Sequence, residues 1–541
     1  MVATANSVST EIAVQVLRDG GTAMDAAVAA HMALTVVEPQ SSGIGGGGFL
    51  LYYDAGAGRF HAYDGREIAP SSMTPDVFLS DGEPMKFLDA VIGGLSVGVP
   101  GAVAALEKGQ GEHGVLEWKR LVEPAARLAR SGWAVHPRLE NGLKTVPALK
   151  KYAGLGSAFF DESGKVRKVG TQVSNPDLAD TLDQVAARKA QALLAGPIGE
   201  RIVDVVNSAE RPGRMTMEDL AAFEAVERDA RCVPYRSYRV CAFPEPSGSL
   251  VAVTMLKLLE SFDIASMKPL SSEFFHLFAQ ASELAYADRD RYYGDPDFVS
   301  VPVDALLEPS RIAAGAAQIQ AGTRSPQPLE MELVAVEPRP HPVCSGRAAG
   351  RSVDIEKPGT SHISVVDGLG NAVSFTASVE NNFGSQTMAG GFVLNNQLTD
   401  FEFEPCAKGA LKANAAEPGK RPRSSMAPVI VLDSEGNVRL VAGSPGGAAI
   451  ISYTAQTLIA VLDWGMDPQD AVALPHLLGR KGVTILEKHP KVAANLEAEL
   501  ERLGHRIRRV PLTSGLSVVE KTDEGFAGGA DPRRDGVAAG D

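Results

Sequence analysis

Thr360 follows Gly359 at the head of a strand-like run, and counting along the chain gives it a partner. With Gly368-Leu369-Gly370 as a three-residue hairpin loop, Asp367 faces Asn371, each earlier residue meets a later one in turn, and Thr360 falls opposite Ser378. By strand alternation Ser374, Thr376, Ser378 and Glu380 share one face, while Val373, Phe375, Ala377 and Val379 share the other. Two hydroxyls beside a polar face suggest nucleophilic chemistry. A threonine hydroxyl is a weak nucleophile, but at a chain's first position its own α-amine can take the proton. Such a role requires cleavage of Gly359-Thr360, and Gly359 carries no side chain to hinder attack on its carbonyl. A Gly-Thr pair that merely opens a strand has the same spacing, so the residue pattern alone leaves both readings standing.

Other motifs carry less. Gly94-Leu95-Ser96-Val97-Gly98 matches a nucleophile elbow, but Val99-Pro100-Gly101 separates the serine from any following helix, and Pro100 is better placed to open that helix. Gly43, Gly45 and Gly48 satisfy the dinucleotide spacing with strand and helix in the wrong order, so tight backbone packing accounts for them better. His362, two residues from Thr360, fits a structural role. No HExxH or other spaced ligand set argues for a metal, and no cofactor is expected.

The elements that must position Thr360 are legible in outline. Helical spacing runs from Thr10 to Val37 with a break at Gly20-Gly21-Thr22, and strands are expected at Phe49 to Tyr53 and Arg59 to Tyr63. The middle, from Pro100 to about Ile319, reads as mainly helical bulk. Residues 324–359, punctuated by Pro326, Pro328, Pro338, Pro340, Pro342 and Pro358, read as an exposed linker. After Thr360 the pattern turns β-rich at Ser361 to Asp367, Ala372 to Val379, Phe392 to Asn395, Val429 to Leu432 and Val438 to Ala442, with a helix from Ala448 to Asp463.

The chain's 541 residues allow a large core, and 44% hydrophobic with 22% charged residues is an ordinary globular balance. A formal charge of -14 without a long basic block makes nucleic acid and anionic membrane poor partners. Cys232, Cys241, Cys344 and Cys406 lie far apart, which suggests no dense disulfide framework, although a Cys232 to Cys241 bridge stays open. With no leader-like start and no run of about 18 apolar residues, the sequence as written reads as cytoplasmic, or as periplasmic or secreted if a leader precedes it.

The stretch Lys357-Pro358-Gly359-Thr360-Ser361-His362-Ile363-Ser364-Val365-Val366-Asp367 resembles the processing site of the γ-glutamyltranspeptidases, N-terminal-nucleophile hydrolases that cut themselves. The likeness extends over nearly the whole chain, through Asp25-Ala26-Ala27-Val28-Ala29, Arg66-Glu67-Ile68-Ala69-Pro70, Leu394-Asn395-Asn396-Gln397, Arg421-Pro422-Arg423-Ser424-Ser425-Met426 and Gly443-Ser444-Pro445-Gly446-Gly447. The resemblance implies an α+β fold, a four-layer αββα sandwich, made of a large fragment (1–359, with 324–359 as linker) and a small catalytic one (360–541) that stay associated in one folded unit. It implies Thr360 as nucleophile, Ser378 orienting its hydroxyl, and Gly446 and Gly447 as oxyanion donors. It also implies Arg66, Ser424 and Ser425 on a substrate carboxylate, and Glu380, Gln397 and Asp400 on its ammonium. The expected reaction passes the acyl group of a small γ-glutamyl donor such as glutathione to water, an amino acid or a peptide. Two departures bear on the donor. Glu380 stands where most members carry asparagine, and the stretch from Glu402 to Lys420 has no tyrosine and is shortened, which favours a more open cleft. The rival readings are a cephalosporin (glutaryl) acylase, and an unprocessed paralogue that only binds amino acids.

Overall fold

Thr22 closes a capping box with Asp25 and starts the helix Ala23–Val37, whose 15 residues are all buried. So small and apolar a helix can pass directly beneath a sheet. In the computed structural model, which describes residues 1–151, 158–345 and 359–540, it does so. Together with helices Ser7–Arg18, Ala102–His113 and Trp118–Ser131 it covers the apolar face carrying Ile363, Val365, Val373, Phe375, Ala377 and Val379.

That face belongs to a seven-stranded sheet. Its strands run in the spatial order Val537–Ala539, Val2–Thr4, Gly359–Val366, Ala372–Glu380, Gly47–Asp54, Arg59–Gly65 and Val226–Arg228. The second sheet has six strands, in the order Gly525–Ala530, Ser517–Thr522, Val438–Gly443, Val429–Leu432, Tyr238–Ala242 and Arg231–Tyr235. Phe49, Leu51, Phe243, Val366, Ile430, Val441 and Val519 fill the space between the sheets. Helices Ser249–Leu259, Ser272–Tyr292 and Ile450–Leu462 pack on the outer side of the second sheet. Three stacked apolar clusters therefore separate four layers, the αββα sandwich that was expected.

Several local expectations change. The middle of the chain is more than helical bulk, because residues 226–242 contribute strands to both sheets. These strands are short and partly polar, so their periodicity is weak. Cys232 and Cys241 face each other across adjacent strands as a disulfide. Cys344 and Cys406 form a second one, which their separation of 62 residues had hidden. Of the linker, residues 324–345 are largely exposed yet tied down: Arg324 pairs with Glu283, Arg339 with Glu417, and Cys344 with Cys406. The part of the linker from 346 to 358, with Lys357 and Pro358, lies outside the described residues. The stretch after Glu402 folds into a small hairpin, Cys406–Ala407 against Ala410–Leu411. Ser96 is no elbow: it ends a short 3-10 turn, is buried, and donates to the Val91 carbonyl at 2.7 Å. Among the described residues no helix is long and apolar enough to cross a membrane.

Candidate active site

The hairpin that carries Thr360 follows the counted register from Val366 opposite Ala372 to Ser361 opposite Ala377. There a bulge intervenes, and Gly359 pairs with Glu380. The irregularity turns the Thr360 hydroxyl toward both its own preceding carbonyl and Ser378. Thr360 Oγ1 donates to Gly359 O at 2.7 Å and lies 2.9 Å from Ser378 Oγ, which itself donates to Gly359 O at 2.6 Å. The Glu380 amide donates to Ser378 Oγ at 2.8 Å and so holds that serine in place. Glu380 has φ +80, a left-handed conformation that non-glycine residues seldom adopt, at the point where its carboxylate enters the site.

Close backbone approach behind this strand accounts for the glycine run. A Cβ on Gly46 would lie 2.1 Å from the Ser378 carbonyl oxygen, and one on Gly48 would lie 2.6 Å from that of Thr376. Only glycine lets the Gly47–Asp54 strand run this close to the serine's strand.

A cleft with about 460 Å³ of empty space, open solvent included, has Thr360 and Ser378 in its wall. Its lining also includes the acidic and amide groups of Glu380, Gln397 and Asp400, the arginines and hydroxyls of Arg289, Arg423, Ser424 and Ser425, and Gly447, Ala448 and Ile450. Asn396 Nδ2 donates to Glu380 Oε2 at 2.6 Å, and Gln397 Nε2 donates to Asp400 Oδ2 at 3.0 Å. Gln397 Oε1 has no hydrogen-bond partner among the described residues, leaving an acceptor for a bound cation. Gly447 opens a 3-10 turn that runs into the helix Ile450–Leu462, so the expected helix start at Ala448 falls within this turn. Gly446 has φ +133, and a Cβ there would meet the Tyr453 ring at 2.4 Å. A helix start of this kind presents amide donors to negative charge.

Not every expected residue reaches the cleft. Arg66 is fully buried behind Asp400, to which its Nη2 donates at 2.6 Å, while its Nε donates to the Pro422 carbonyl at 3.0 Å. Glu67, beneath it, is pushed up to about 8 by burial. Two arginines line the cleft instead, Arg289 and Arg423, and Arg289 Nη2 donates to Ser425 Oγ at 2.7 Å. Arg423, its neighbour, pairs with Glu402 at 3.0 Å. His362 stands between the sheets, with Nδ1 2.8 Å from Thr376 Oγ1 and Nε2 3.0 Å from Ser364 Oγ. Burial pushes its imidazole down to about 3, which keeps the ring neutral near neutral pH.

Sequence reasoning missed Arg289, Arg423 and Arg534. Arg534 Nη1 donates to the Thr360 carbonyl at 2.8 Å from a buried position, and burial, the largest cause, pushes its guanidinium down to about 9. A signal existed for Arg289, which lies four residues after the buried Ala285 on the buried stripe of its helix. A charge on such a stripe needs a function or a partner. No comparable pattern surrounds Arg534.

Known proteins resemble this chain along nearly its whole length. The gamma-glutamyltranspeptidase family profile matches residues 9–541. The chain is 33% identical over 554 residues to a glutathione hydrolase proenzyme of Bacillus subtilis (strain 168), covering 100% of this chain and 91% of the relative. It is 34% identical over 544 residues to the corresponding proenzyme of Escherichia coli (strain K12), covering 98% and 90%. Its structure superposes on the crystal structure of a cephalosporin acylase from Bacillus halodurans with a TM-score of 0.83 at 26% identity, covering 100% and 95% of the two chains.

Proposed function

The chain belongs to the gamma-glutamyltranspeptidase family, and from that premise we propose that it is a self-processing γ-glutamyl hydrolase and transferase with Thr360 as nucleophile. The observation that carries this reading is the convergence of Thr360 Oγ1 and Ser378 Oγ on the carbonyl oxygen of Gly359. In the uncut chain Thr360 Oγ1 attacks the Gly359 carbonyl carbon, with Ser378 bonded to the oxygen that becomes negative. The C–N bond breaks, an ester to Thr360 forms, and the threonine proton passes to the new α-amine. Water hydrolyses that ester, leaving fragments 1–359 and 360–541.

The free α-amine of Thr360 is then the base for turnover. Thr360 Oγ1 attacks the γ-amide carbon of the donor, the backbone amide N–H groups of Gly446 and Gly447 stabilise the oxyanion, and the leaving amine takes the proton. Water or an acceptor amine resolves the glutamyl ester. Glu380 and Asp400, with Gln397 Oε1, receive the donor's ammonium. Ser424 and Ser425 receive its carboxylate together with Arg289, while Arg66 acts through Asp400, which it orients. Two disulfides support maturation in an oxidising compartment rather than the cytoplasm.

Glutaryl amides are the second reading, favoured by the likeness along the whole chain to the Bacillus halodurans acylase. Hydrolysis of γ-glutamyl p-nitroanilide compared with glutaryl p-nitroanilide separates the two. The γ-glutamyl compound is expected to turn over at least about tenfold faster, since one charge-assisted hydrogen bond contributes about 1.5–3 kcal/mol. Equal rates would reject an ammonium-reading site. A single full-length band on a reducing gel, with neither compound cleaved, would favour a protein that only binds amino acids.

A further inference from the structure

Away from the cleft, at one edge of the seven-stranded sheet, imidazoles and carboxylates from three elements meet. His61 comes from the strand Arg59–Gly65, Glu112 and His113 from the end of the helix Ala102–His113, and Glu227 from the edge strand Val226–Arg228. One donor atom each from His61, Glu112 and His113 lies within 4.8 Å of the others. We propose that this cluster binds one divalent transition-metal ion of the zinc type through His61, His113 and Glu112.

The surroundings are those of a metal-binding imidazole pair. Glu227 Oε1 is 2.8 Å from His61 Nδ1, the carboxylate contact that fixes a metal-binding ring's orientation. Tyr63 Oη lies 2.8 Å from both Glu112 Oε2 and His113 Nε2, and the Tyr52 ring stacks on His113 at 4.3 Å. The two imidazole rings are 4.5 Å apart, close enough to share one ion. Nitrogen donors select zinc-like ions over magnesium or calcium, and two carboxylates balance a dication. The edge strand is held to its neighbour by only three residue pairs, Ala62 with Arg228, Tyr63 with Glu227 and Asp64 with Val226. A metal here would fasten the helix end to that edge.

The test uses the full-length protein freed of metal by chelator and titrated with zinc chloride by calorimetry. One equivalent is expected to bind and to raise the thermal midpoint, while γ-glutamyl p-nitroanilide turnover stays unchanged. Both His61→Ala and His113→Ala should weaken binding more than about tenfold, and Glu227→Gln by about tenfold. In the unaltered protein zinc should also protect His61 and His113 from carbethoxylation, read by peptide mass spectrometry, which keeps the test valid if a variant misfolds. Absence of stoichiometric binding, binding retained in a folded His61→Ala/His113→Ala variant, or absence of protection would each overturn the proposal.

A separate observation concerns the fragments themselves. Cys344 precedes the cleavage point and Cys406 follows it, so their disulfide joins one fragment to the other. We infer that the processed enzyme remains a covalent pair through this bond, an inference that rests on cleavage before Thr360. Both cysteines are buried beside Leu411 and Ala415, which limits access of a reductant. Formation by exchange with a small-molecule disulfide joins the two cysteine sulfurs and releases two small-molecule thiols.

Gels of thiol-blocked protein read cleavage and tether independently. One full-mass band without reductant and two smaller bands with it are expected, and Cys406→Ser should give two bands in both. Two bands without reductant in the unaltered protein would overturn the tether and leave processing intact. One band under both conditions would overturn processing and the tether with it.

Discussion

Thr360 Oγ1 lies 2.9 Å from Ser378 Oγ, and both hydroxyls donate to one oxygen, the Gly359 carbonyl. The proposed nucleophile and its proposed helper are thus both seated on the bond that self-cleavage would break. Thr360→Ala should stay a single chain without turnover. Ser378→Ala removes one donor from the developing oxyanion and should slow self-cleavage about a hundredfold or more, followed as band intensity against time after refolding.

Arg534 clamps the strand of Thr360 from the other side. Its Nη1 holds the Thr360 carbonyl and its Nε holds that of Ser514, at 2.8 and 3.2 Å. Arg534→Met leaves two buried acceptors without their donor and should lower stability by about 1–3 kcal/mol, measured by urea unfolding of the uncut Thr360→Ala background. Self-cleavage of Arg534→Met with Thr360 intact should slow as well, because the threonine loses its fixed backbone.

Arg289 should behave as a carboxylate reader. Arg289→Gln, which can still hydrogen-bond Ser425, should raise KM for γ-glutamyl p-nitroanilide about tenfold with a smaller change in kcat. A donor lacking the α-carboxylate should be indifferent to the substitution. Equal effects on both donors would assign Arg289 to the scaffold alone.

His362 sets part of the acid limit of stability. Its folded-state value, about 3, lies below the ordinary 6.5, so the neutral ring's contribution is fully present above pH 6.5 and is lost as pH falls toward 3. Urea midpoints should decline across that window. His362→Gln, which cannot titrate, should show a shallower decline than the unaltered protein when both are measured from pH 7 to 3.5.

The hairpin was legible because its short loop fixes the register, and counting placed Ser361 through Val366 against their true partners. Counting failed at Gly359, where a bulge adds a residue, because contacts from outside the hairpin decide whether a strand kinks. The helix pair before Val37 was readable from Thr22, Asp25 and the double glycine. The position of Arg66 behind Asp400 was not, since a motif names a residue without giving the direction of its side chain. The Cys344–Cys406 bond and the Arg534 clamp join segments distant in sequence, and neither hydropathy nor spacing encodes such meetings.

The spatial order of the first sheet has a consequence for how the two cleavage products are made. Val2–Thr4, upstream of the proposed cut, is hydrogen-bonded on one side to Val537–Ala539 and on the other to Ile363–Val365, both downstream of it. The products are woven through each other, so neither owns a complete sheet that could close alone. Halves synthesised as separate polypeptides should yield active material only when they fold in each other's presence, and mixing them after each has collapsed by itself should not restore it.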